Sequence, residues 1–164
     1  VGGFTDCLLR RGAACVVAVD TGYGDLAWTL RQDERVVVLE RTNALHAEPP
    51  QPVHLVVCDV AWTPQEKILP AAARGLADAE GTLGIVSLLK PHYELAKLAG
   101  RKRRSPLSDA EAEDVRDRVC NRLREMGFAI RGVVVSPVRG KGGNVEYLLW
   151  AGAGESGGPT VDRS

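Results

Sequence analysis

The sequence predicts an α/β fold in which helices cover a mostly parallel β-sheet. Short apolar runs rich in valine alternate with helical patterns along most of the chain, which is typical of parallel strands joined by helical crossovers. Aromatic residues make up only 5% of the 164 residues, and this suits buried parallel strands better than an aromatic-rich β-sandwich. The last two apolar runs flank a glycine-rich segment and predict a hairpin. We therefore expect one antiparallel strand at the edge of the sheet.

Length and composition predict one domain without a charge bias. Because 45% of the residues are apolar, the chain can bury one core, and we expect a domain over residues 1–151 and a disordered tail over residues 152–164. The 21 basic residues balance the 21 acidic residues, so local patches must account for any binding of nucleic acid.

Cysteine usage and hydropathy predict the compartment. The four cysteines are widely spaced and most of them lie in apolar runs, which favours buried free thiols in a reducing cytoplasm. No apolar stretch is long enough to span a membrane and no secretory leader opens the chain. We therefore expect a cytoplasmic protein that does not enter membranes.

The first part of the chain predicts two helices and three strands. The predicted helices cover residues 5–11 and 26–31, and the predicted strands cover residues 15–19, Val36–Leu39 and 54–58. Residues 44–52 contain three prolines and no periodicity, so we expect a loop there. The chain opens on Val1, and no strand precedes the glycine turn that follows. We therefore expect the domain to be truncated at its N-terminus, with its first strand missing.

The second part predicts two helices, a strand and the closing hairpin. The predicted helices cover residues 64–79 and 108–127, and the predicted strands cover residues Gly84–Leu89, 129–135 and 145–150. Pro64 suits the first turn of its helix and Gly81 would close that helix. Ser108 is a candidate N-cap, with Glu111 three residues later as in a capping box. Residues 100–107 are basic and predict a loop.

Several polar residues follow directly after predicted strands. Ligands bind beyond the carboxyl ends of parallel strands, and this rule indicates Asp20, Glu40, Asp59 and Lys90. Asp20 could accept hydrogen bonds from ribose hydroxyls, or it could simply cap the next helix.

Two further features of the sequence are candidates for a ligand or catalytic site. Gly2, Gly3 and Phe4 at a helix entrance could approach a ligand closely, or they could be an ordinary turn. Asp59 and Lys90 should project into one crevice as a charge pair, catalytic or structural. Glu146 says little alone, but the glycine-rich segment before it could bring its carboxylate to Lys90.

Six stretches together resemble the FtsJ-like methyltransferase domain of the TlyA (hemolysin A) family. In the family's order they are GGFTD at 2–6, AVDTGYGDLAW at 18–28, RVVVLERTNA at 35–44, CDVAW at 58–62, LLKPHYE at 88–94 and SPVRGKGGNVEYLLW at 136–150. The resemblance covers about nine-tenths of the chain, and the combination is specific although no single motif is. Two motifs depart from the family pattern. At residues 59–62 this chain has Asp-Val-Ala-Trp, where the family usually has Asp-Val-Ser-Phe. At residues 90–94 it has Lys-Pro-His-Tyr-Glu, where the family usually has Lys-Pro-Gln-Phe-Glu.

The resemblance implies a Rossmann-like class I fold and methyl transfer from S-adenosyl-L-methionine to a ribose 2′-hydroxyl of ribosomal RNA. It assigns Asp59, Lys90 and Glu146 to the family's catalytic Lys-Asp-Lys-Glu set, whose first lysine precedes this chain. Lys90 is then the general base, supported by Asp59 and Glu146. The cofactor positions implied by the resemblance are Gly2, Gly3, Phe4, Asp20, Thr42, Asn43 and Asp59.

Alternatives remain beside this interpretation. Arg101, Lys102, Arg103 and Arg104 could contact RNA phosphates, or they could be a solvated loop. The three histidines share no ligand spacing with one another or with the cysteines, so we predict no metal. A rival hypothesis is a non-catalytic RNA-binding or ribosome-assembly module that has lost the front of the cofactor site. The hemolysin label also suggests a membrane-damaging protein, but the sequence contains no amphipathic or membrane-spanning segment that would support this hypothesis.

Overall fold

The computed structural model describes residues 1–99 and 106–153. The described chain forms two compact units, Val1–Gln51 and a second unit that begins at Pro52. In the first unit, helix α1 (Gly3–Arg10) is followed by strand β1 (Val16–Val19), helix α2 (Trp28–Arg31) and strand β2 (Val36–Leu39). Strands β1 and β2 pair in parallel. Leu9, Val16 and Leu30 form the core of this unit and Val36 packs against them, so each predicted element contributes to it.

The second unit contains a four-stranded sheet and three longer helices. Its elements are β3 (Leu55–Cys58), α3 (Gln65–Ala73), β4 (Gly84–Leu89), α4 (Pro91–Ala99), α5 (Asp109–Glu125), β5 (Phe128–Val135) and β6 (Tyr147–Ala153). The sheet has the order β3-β4-β6-β5. Strands β3 and β4 are parallel, whereas β6 runs antiparallel to both of its neighbours. Helices α3 and α5 pack on each other and on the sheet.

The antiparallel strand lies inside the sheet, so its predicted place at the edge is wrong. Strand β6 pairs with β4 on one side and with β5 on the other. Burial explains the order, because Tyr147, Leu149 and Ala151 of β6 are almost completely buried. Val134 and Val135 of β5 are 60% exposed, as an edge strand permits. Strand β6 continues to Ala153, and residues 154–164 of the predicted tail lie outside the described residues.

Helix α3 ends at Ala73, six residues before the predicted end. The alanines favour helix locally, but the backbone beyond them pairs with the segment before β3. The Val53 N–H donates to the Gly75 carbonyl at 2.9 Å, and the Ala77 N–H donates to the Val53 carbonyl at 2.8 Å.

Helix α4 was not predicted, because Lys90-Pro91 reads as the end of a strand. Pro91 is instead the first helical residue, a position that suits proline because its missing N–H has no helical partner there.

Helix α5 begins at the predicted capping box. The Glu111 backbone N–H donates to the Ser108 hydroxyl at 3.3 Å, and the Ser108 backbone N–H donates to the Glu111 carboxylate at 2.8 Å. Gly127 follows the helix with a φ of 89°, which ends it where the sequence predicts.

All four cysteines are free, as predicted, but only two of them are buried. Cys58 and Cys120 are buried, whereas Cys7 and Cys15 are exposed. Cys15 precedes the first residue of β1, so it misses the burial that the strand gives to Val16.

Candidate active site

Asp59 and Lys90 lie at the carboxyl ends of two adjacent parallel strands. Each residue directly follows its strand, and Cys58 of β3 pairs with Ser87 of β4. The Lys90 Nζ donates to the Asp59 Oδ1 at 2.6 Å. The side chain of Lys90 is 16% exposed and that of Asp59 is 49% exposed, so the amine is held in the crevice while the carboxylate meets solvent. The structure thus brings together the charge pair that the strand-end rule indicates.

Glu146 approaches the same ion pair from the third strand. It precedes β6, whose first residue Tyr147 pairs with Leu89, so the ladder places Glu146 beside Lys90. Its side chain is buried, with 8% of the residue exposed. Burial raises the pKa of the Glu146 carboxyl, the positive charge of Lys90 lowers it, and the negative charge of Asp59 raises it. The three predicted residues therefore form one cluster of interacting charges.

An aromatic group borders this charge cluster. The ring centroids of Trp62 and Tyr93 are 4.5 Å apart, and those of Tyr93 and His92 are 4.1 Å apart. Trp62 is 57% exposed and has a φ of 65°, a strained backbone conformation for a bulky residue. Burial and the nearby charge of Lys90 lower the pKa of His92. Sequence reasoning missed this group, although all three side chains occupy motif positions that depart from the family pattern.

A second buried carboxylate lies in the helix that follows Lys90. Glu94 of α4 is 8% exposed and Gln65 of α3 is 2% exposed. The Gln65 backbone N–H donates to the Glu94 carboxylate, and the Gln65 side-chain amide donates to the Leu88 carbonyl at 3.3 Å. These contacts join the helix that follows Asp59 to the segment that carries Lys90. Burial raises the pKa of Glu94 to about 7, against the opposing hydrogen bond from Gln65. No local sequence pattern distinguishes Glu94 from a solvent-exposed helical glutamate.

The predicted cofactor residues of the first unit lie at its glycine turn and its strand ends. Gly2 is the N-cap of α1 and has a φ of 120°, which favours glycine. A Cβ at Gly2 would stand 2.6 Å from a methyl group of Leu30, whereas a Cβ at Gly3 would meet no atom within 4 Å. The turn therefore packs on its core side and is open on the side of Gly3. Phe4 is half-buried in the first turn of the helix.

Asp20 and Thr42 are neighbours through their backbones. The Thr42 N–H donates to the Asp20 carbonyl at 2.9 Å, and the Gly22 N–H donates to the Asp20 carboxylate at 2.7 Å. The N-cap of α2 is Ala27, so the alternative in which Asp20 caps that helix is wrong. The Asn43 side chain accepts the Leu45 N–H at 3.0 Å and closes its own turn.

Glu40, which follows the second strand of this unit, makes structural contacts. Both carboxylate oxygens accept from the Arg31 guanidinium, and one of them also accepts the Gly24 N–H at 2.7 Å. The Arg31 hydrogen bond holds the pKa of Glu40 below its usual value. Its side chain is 11% exposed, so Glu40 fixes the 22–24 turn, whereas Asp20 at the end of the neighbouring strand is exposed.

Other predictions concern the surface. Arg101, Lys102, Arg103 and Arg104 lie outside the described residues. Within residues 1–99 and 106–153, no group of three or more histidine, cysteine, aspartate or glutamate side chains could hold a metal ion. None of the helices in this part of the chain has the length and hydropathy needed to cross a membrane.

Comparisons with known sequences place the chain among methyltransferases. The family profile described as FtsJ-like methyltransferase matches residues 1–153. The chain is 45% identical over 156 residues to the "16S/23S rRNA (cytidine-2'-O)-methyltransferase TlyA" of Mycobacterium tuberculosis, covering 91% of this chain and 56% of that protein. The chain thus spans a little over half the length of the curated relatives it matches.

Solved structures agree with the sequence comparison. The structure described as "Putative hemolysin from Streptococcus thermophilus" superposes with a TM-score of 0.80 at 34% identity, covering 99% of this chain and 59% of that one. The N-methyltransferase NodS from Bradyrhizobium japonicum, in complex with S-adenosyl-L-homocysteine, superposes with a TM-score of 0.59 at 13% identity, covering 92% of this chain and 72% of that one. The latter likeness concerns the fold alone. The chain therefore belongs to the FtsJ-like methyltransferase family.

Proposed function

We propose that this protein transfers a methyl group from S-adenosyl-L-methionine to a ribose 2′-hydroxyl of RNA, with Asp59, Lys90 and Glu146 as catalytic residues. The observation that carries the proposal is the Lys90–Asp59 ion pair of 2.6 Å with the buried Glu146 beside it. A ribose hydroxyl is a weak acid, so a base must remove its proton as the new carbon–oxygen bond forms. Lys90, which Asp59 holds at the carboxyl ends of the strands, can take that role once its amine has lost its own proton.

Each member of the cluster has a separate task in this mechanism. Lys90 in its neutral form would accept the hydroxyl proton on Nζ while the hydroxyl oxygen bonds to the methyl carbon, and the carbon–sulfur bond would break to release S-adenosyl-L-homocysteine. Asp59 holds the amine in place through the 2.6 Å hydrogen bond and stabilises the ammonium that results. Glu146, which interacts with both charges, orients the hydroxyl or the amine. Alignment of the hydroxyl supplies much of the remaining rate enhancement.

The residues of the first unit fit an S-adenosyl-L-methionine molecule. When bound, this cofactor supplies a methyl group activated by a positively charged sulfur. The space open at Gly3 and the first N–H groups of α1 suit a carboxylate at the methionine end, with Gly2 and Phe4 on either side. The exposed carboxylate of Asp20 suits the ribose hydroxyls of the cofactor, and Thr42 and Asn43 suit the neighbourhood of its adenine. Asp59 is a further proposed contact of the cofactor.

Ribosomal RNA is the proposed substrate. The relative from Mycobacterium tuberculosis is named for methylation of 16S and 23S ribosomal RNA, and a ribosomal subunit in the cytoplasm would carry that substrate. The exposed ring of Trp62 suits stacking on an unpaired base. We also propose that Arg101, Lys102, Arg103 and Arg104 contact RNA phosphates.

The test is methyl transfer by the full-length protein and its Lys90→Ala variant. Radioactive methyl groups from S-adenosyl-L-methionine are counted in ribosomal RNA, and resistance of the methylated linkage to alkaline cleavage reports the ribose 2′ position. We expect the variant to lose at least about 100-fold in rate, as removal of a general base does. Lys67→Ala is the matched control, because Lys67 is an exposed lysine on α3 and should leave the rate unchanged.

Two results would contradict the proposal. Full activity of the Lys90→Ala variant, with a circular dichroism spectrum like that of the wild type, removes Lys90 from the mechanism. RNA binding by a wild-type protein that neither binds S-adenosyl-L-methionine in calorimetry nor transfers methyl groups favours the non-catalytic module.

A further inference from the structure

Gly140 lies directly against the carboxylate of Glu146. A Cβ at position 140 would stand 2.0 Å from the Glu146 Oε1 and 2.6 Å from its Cδ. Neither distance leaves room for a side chain at position 140 while the Glu146 carboxylate keeps its place. The φ of −72° and ψ of −178° at Gly140 are extended values that any residue adopts. Space for the carboxylate, rather than backbone conformation, therefore requires glycine at this position.

The loop that contains Gly140 is fixed by its own hydrogen bonds. The Gly140 N–H donates to the Asn144 carbonyl at 2.9 Å, and the Gly143 N–H donates to the Gly140 carbonyl at 3.0 Å. The Ser136 N–H donates to the Glu146 carbonyl at 2.8 Å, which closes the loop on the residue that it seats. Because the contact at Gly140 is made by the end of a flexible side chain, an added methyl group would displace the carboxylate before it displaced the loop.

The outer side of this loop is tied to helix α5. The Arg139 guanidinium donates to the Gly143 carbonyl at 3.1 Å and to the Asp109 carboxylate at 3.4 Å. Asp109 is the first residue of α5. The loop is therefore linked to a helix of the unit as well as to β6, and this link opposes a retreat of Gly140 from Glu146.

We propose that Gly140 is a positioning residue that seats the Glu146 carboxylate beside Lys90 and Asp59. The catalytic consequence rests on the function proposed above, whereas the seating itself does not. Glu146 is buried, with only 8% of the residue exposed. Its carboxylate receives no hydrogen bond from a charged side chain within the described residues, so the close contact with Gly140 explains how it keeps its position. An alanine at position 140 turns the carboxylate out of the cluster while the fold is kept.

The experiment uses the full-length protein with Gly140→Ala and, as matched control, Gly132→Ala. A Cβ at Gly132 would meet no atom within 4 Å, so the same chemical change there leaves Glu146 untouched. The carboxyl carbon of Glu146 is titrated by ¹³C NMR, with its signal assigned from Glu146→Gln. We expect its pKa to fall towards the ordinary glutamate value in Gly140→Ala, since burial raises it in the wild type. The pKa should stay raised in Gly132→Ala.

Transfer kinetics form the second readout. We expect Gly140→Ala to lower kcat by roughly 10-fold to 100-fold with an unchanged KM for RNA, as a misplaced catalytic group does. In a Glu146→Ala background, Gly140→Ala should cause no further loss, because the carboxylate that it displaces is already absent. An unchanged Glu146 titration, or an equal loss in both backgrounds, overturns the seating. A shifted titration in a protein whose wild type transfers no methyl group supports the seating and contradicts the proposed function instead.

Discussion

The carboxylate of Glu94 accepts a hydrogen bond of 2.8 Å from the backbone N–H of Gln65. Gln65 is the first residue of α3 and Glu94 lies in the first turn of α4. The N-terminus of a helix favours a negative charge, yet burial still raises the pKa of this carboxyl to about 7. Because the folded protein binds this proton more tightly than the unfolded chain, the burial of Glu94 makes stability depend on pH.

Glu94→Gln should remove that pH dependence. Between about pH 4.5 and pH 7 the unfolded chain loses the Glu94 proton while the folded protein retains it, so wild-type stability falls as pH rises. A shift to about 7 corresponds to a penalty of at most about 3 kcal/mol above pH 7. We expect the variant to raise the free energy of unfolding by about 1–3 kcal/mol at pH 8 and to change it little at pH 4. Urea titrations at both values measure this. Glu80→Gln, at an exposed position, should show no such difference, and an equal response of both variants would refute the assignment to Glu94.

Trp62→Ala should weaken the binding of RNA without affecting the cofactor. A base stacked on an exposed aromatic ring contributes about 1–3 kcal/mol, so we expect the KM for RNA to rise roughly 5-fold to 150-fold. Trp62→Phe keeps a ring beside Tyr93 and should retain most of the affinity. Steady-state kinetics on ribosomal RNA distinguish the two. If alanine and phenylalanine behave alike, the ring does not stack on RNA.

Asp20→Ala should weaken the binding of S-adenosyl-L-methionine. Hydrogen bonds to a charged group contribute about 1.5–3 kcal/mol, so calorimetry should report a dissociation constant raised by roughly 10-fold or more. Asp78→Asn, at an exposed position after α3, is the control. The alanine variant also removes the acceptor for the Gly22 N–H, so Asp20→Asn is measured beside it. Asparagine can keep the contact with Gly22 while losing the charge, and undiminished affinity in both variants would exclude Asp20 from the cofactor site.

Ser108→Ala should lower the free energy of unfolding by about 1 kcal/mol, the usual effect of losing an N-cap. The hydroxyl accepts the Glu111 backbone N–H, and alanine leaves that donor without this partner. Ser108→Asp restores an acceptor and should recover most of the stability. Denaturant titrations of the three proteins decide the matter, and an alanine variant as stable as the wild type would contradict it.

Much of the fold could be predicted because its signals are local. The apolar runs at β1, β2 and β4 predict strands, and the ends of β2 and β4 were predicted to the residue. The capping box at Ser108 involves residues three positions apart. The end of α3 could not be predicted, because the competing partner of Gly75 is Val53, more than 20 residues earlier in the chain.

The candidate site was predictable in part for the same reason. Asp59 and Lys90 follow apolar strands, so the strand-end rule locates both. Glu146 became a candidate only through its motif. Its place beside Lys90 depends on the pairing of β6 with β4, and the local sequence does not specify that pairing. Glu94 escaped prediction entirely, and the sequence did not indicate which glycine of the segment before Glu146 contacts its carboxylate. The roles of Glu94 and Gly140 depend on contacts with Gln65 and Glu146, and nothing in the neighbouring sequence specifies those contacts.

The uneven burial of the cysteines should allow selective labelling of the first unit. Burial raises the pKa of the Cys58 thiol, next to Asp59, to about 12, and an uncharged thiol reacts poorly with alkylating reagents. Cys120 is likewise buried, whereas Cys7 and Cys15 are exposed. A maleimide dye added to the native protein should therefore attach to the first unit and spare the strand that carries Asp59. Fluorescence from that dye would follow ligand binding near α1 and β1 while the proposed methyl-transfer residues stay unmodified.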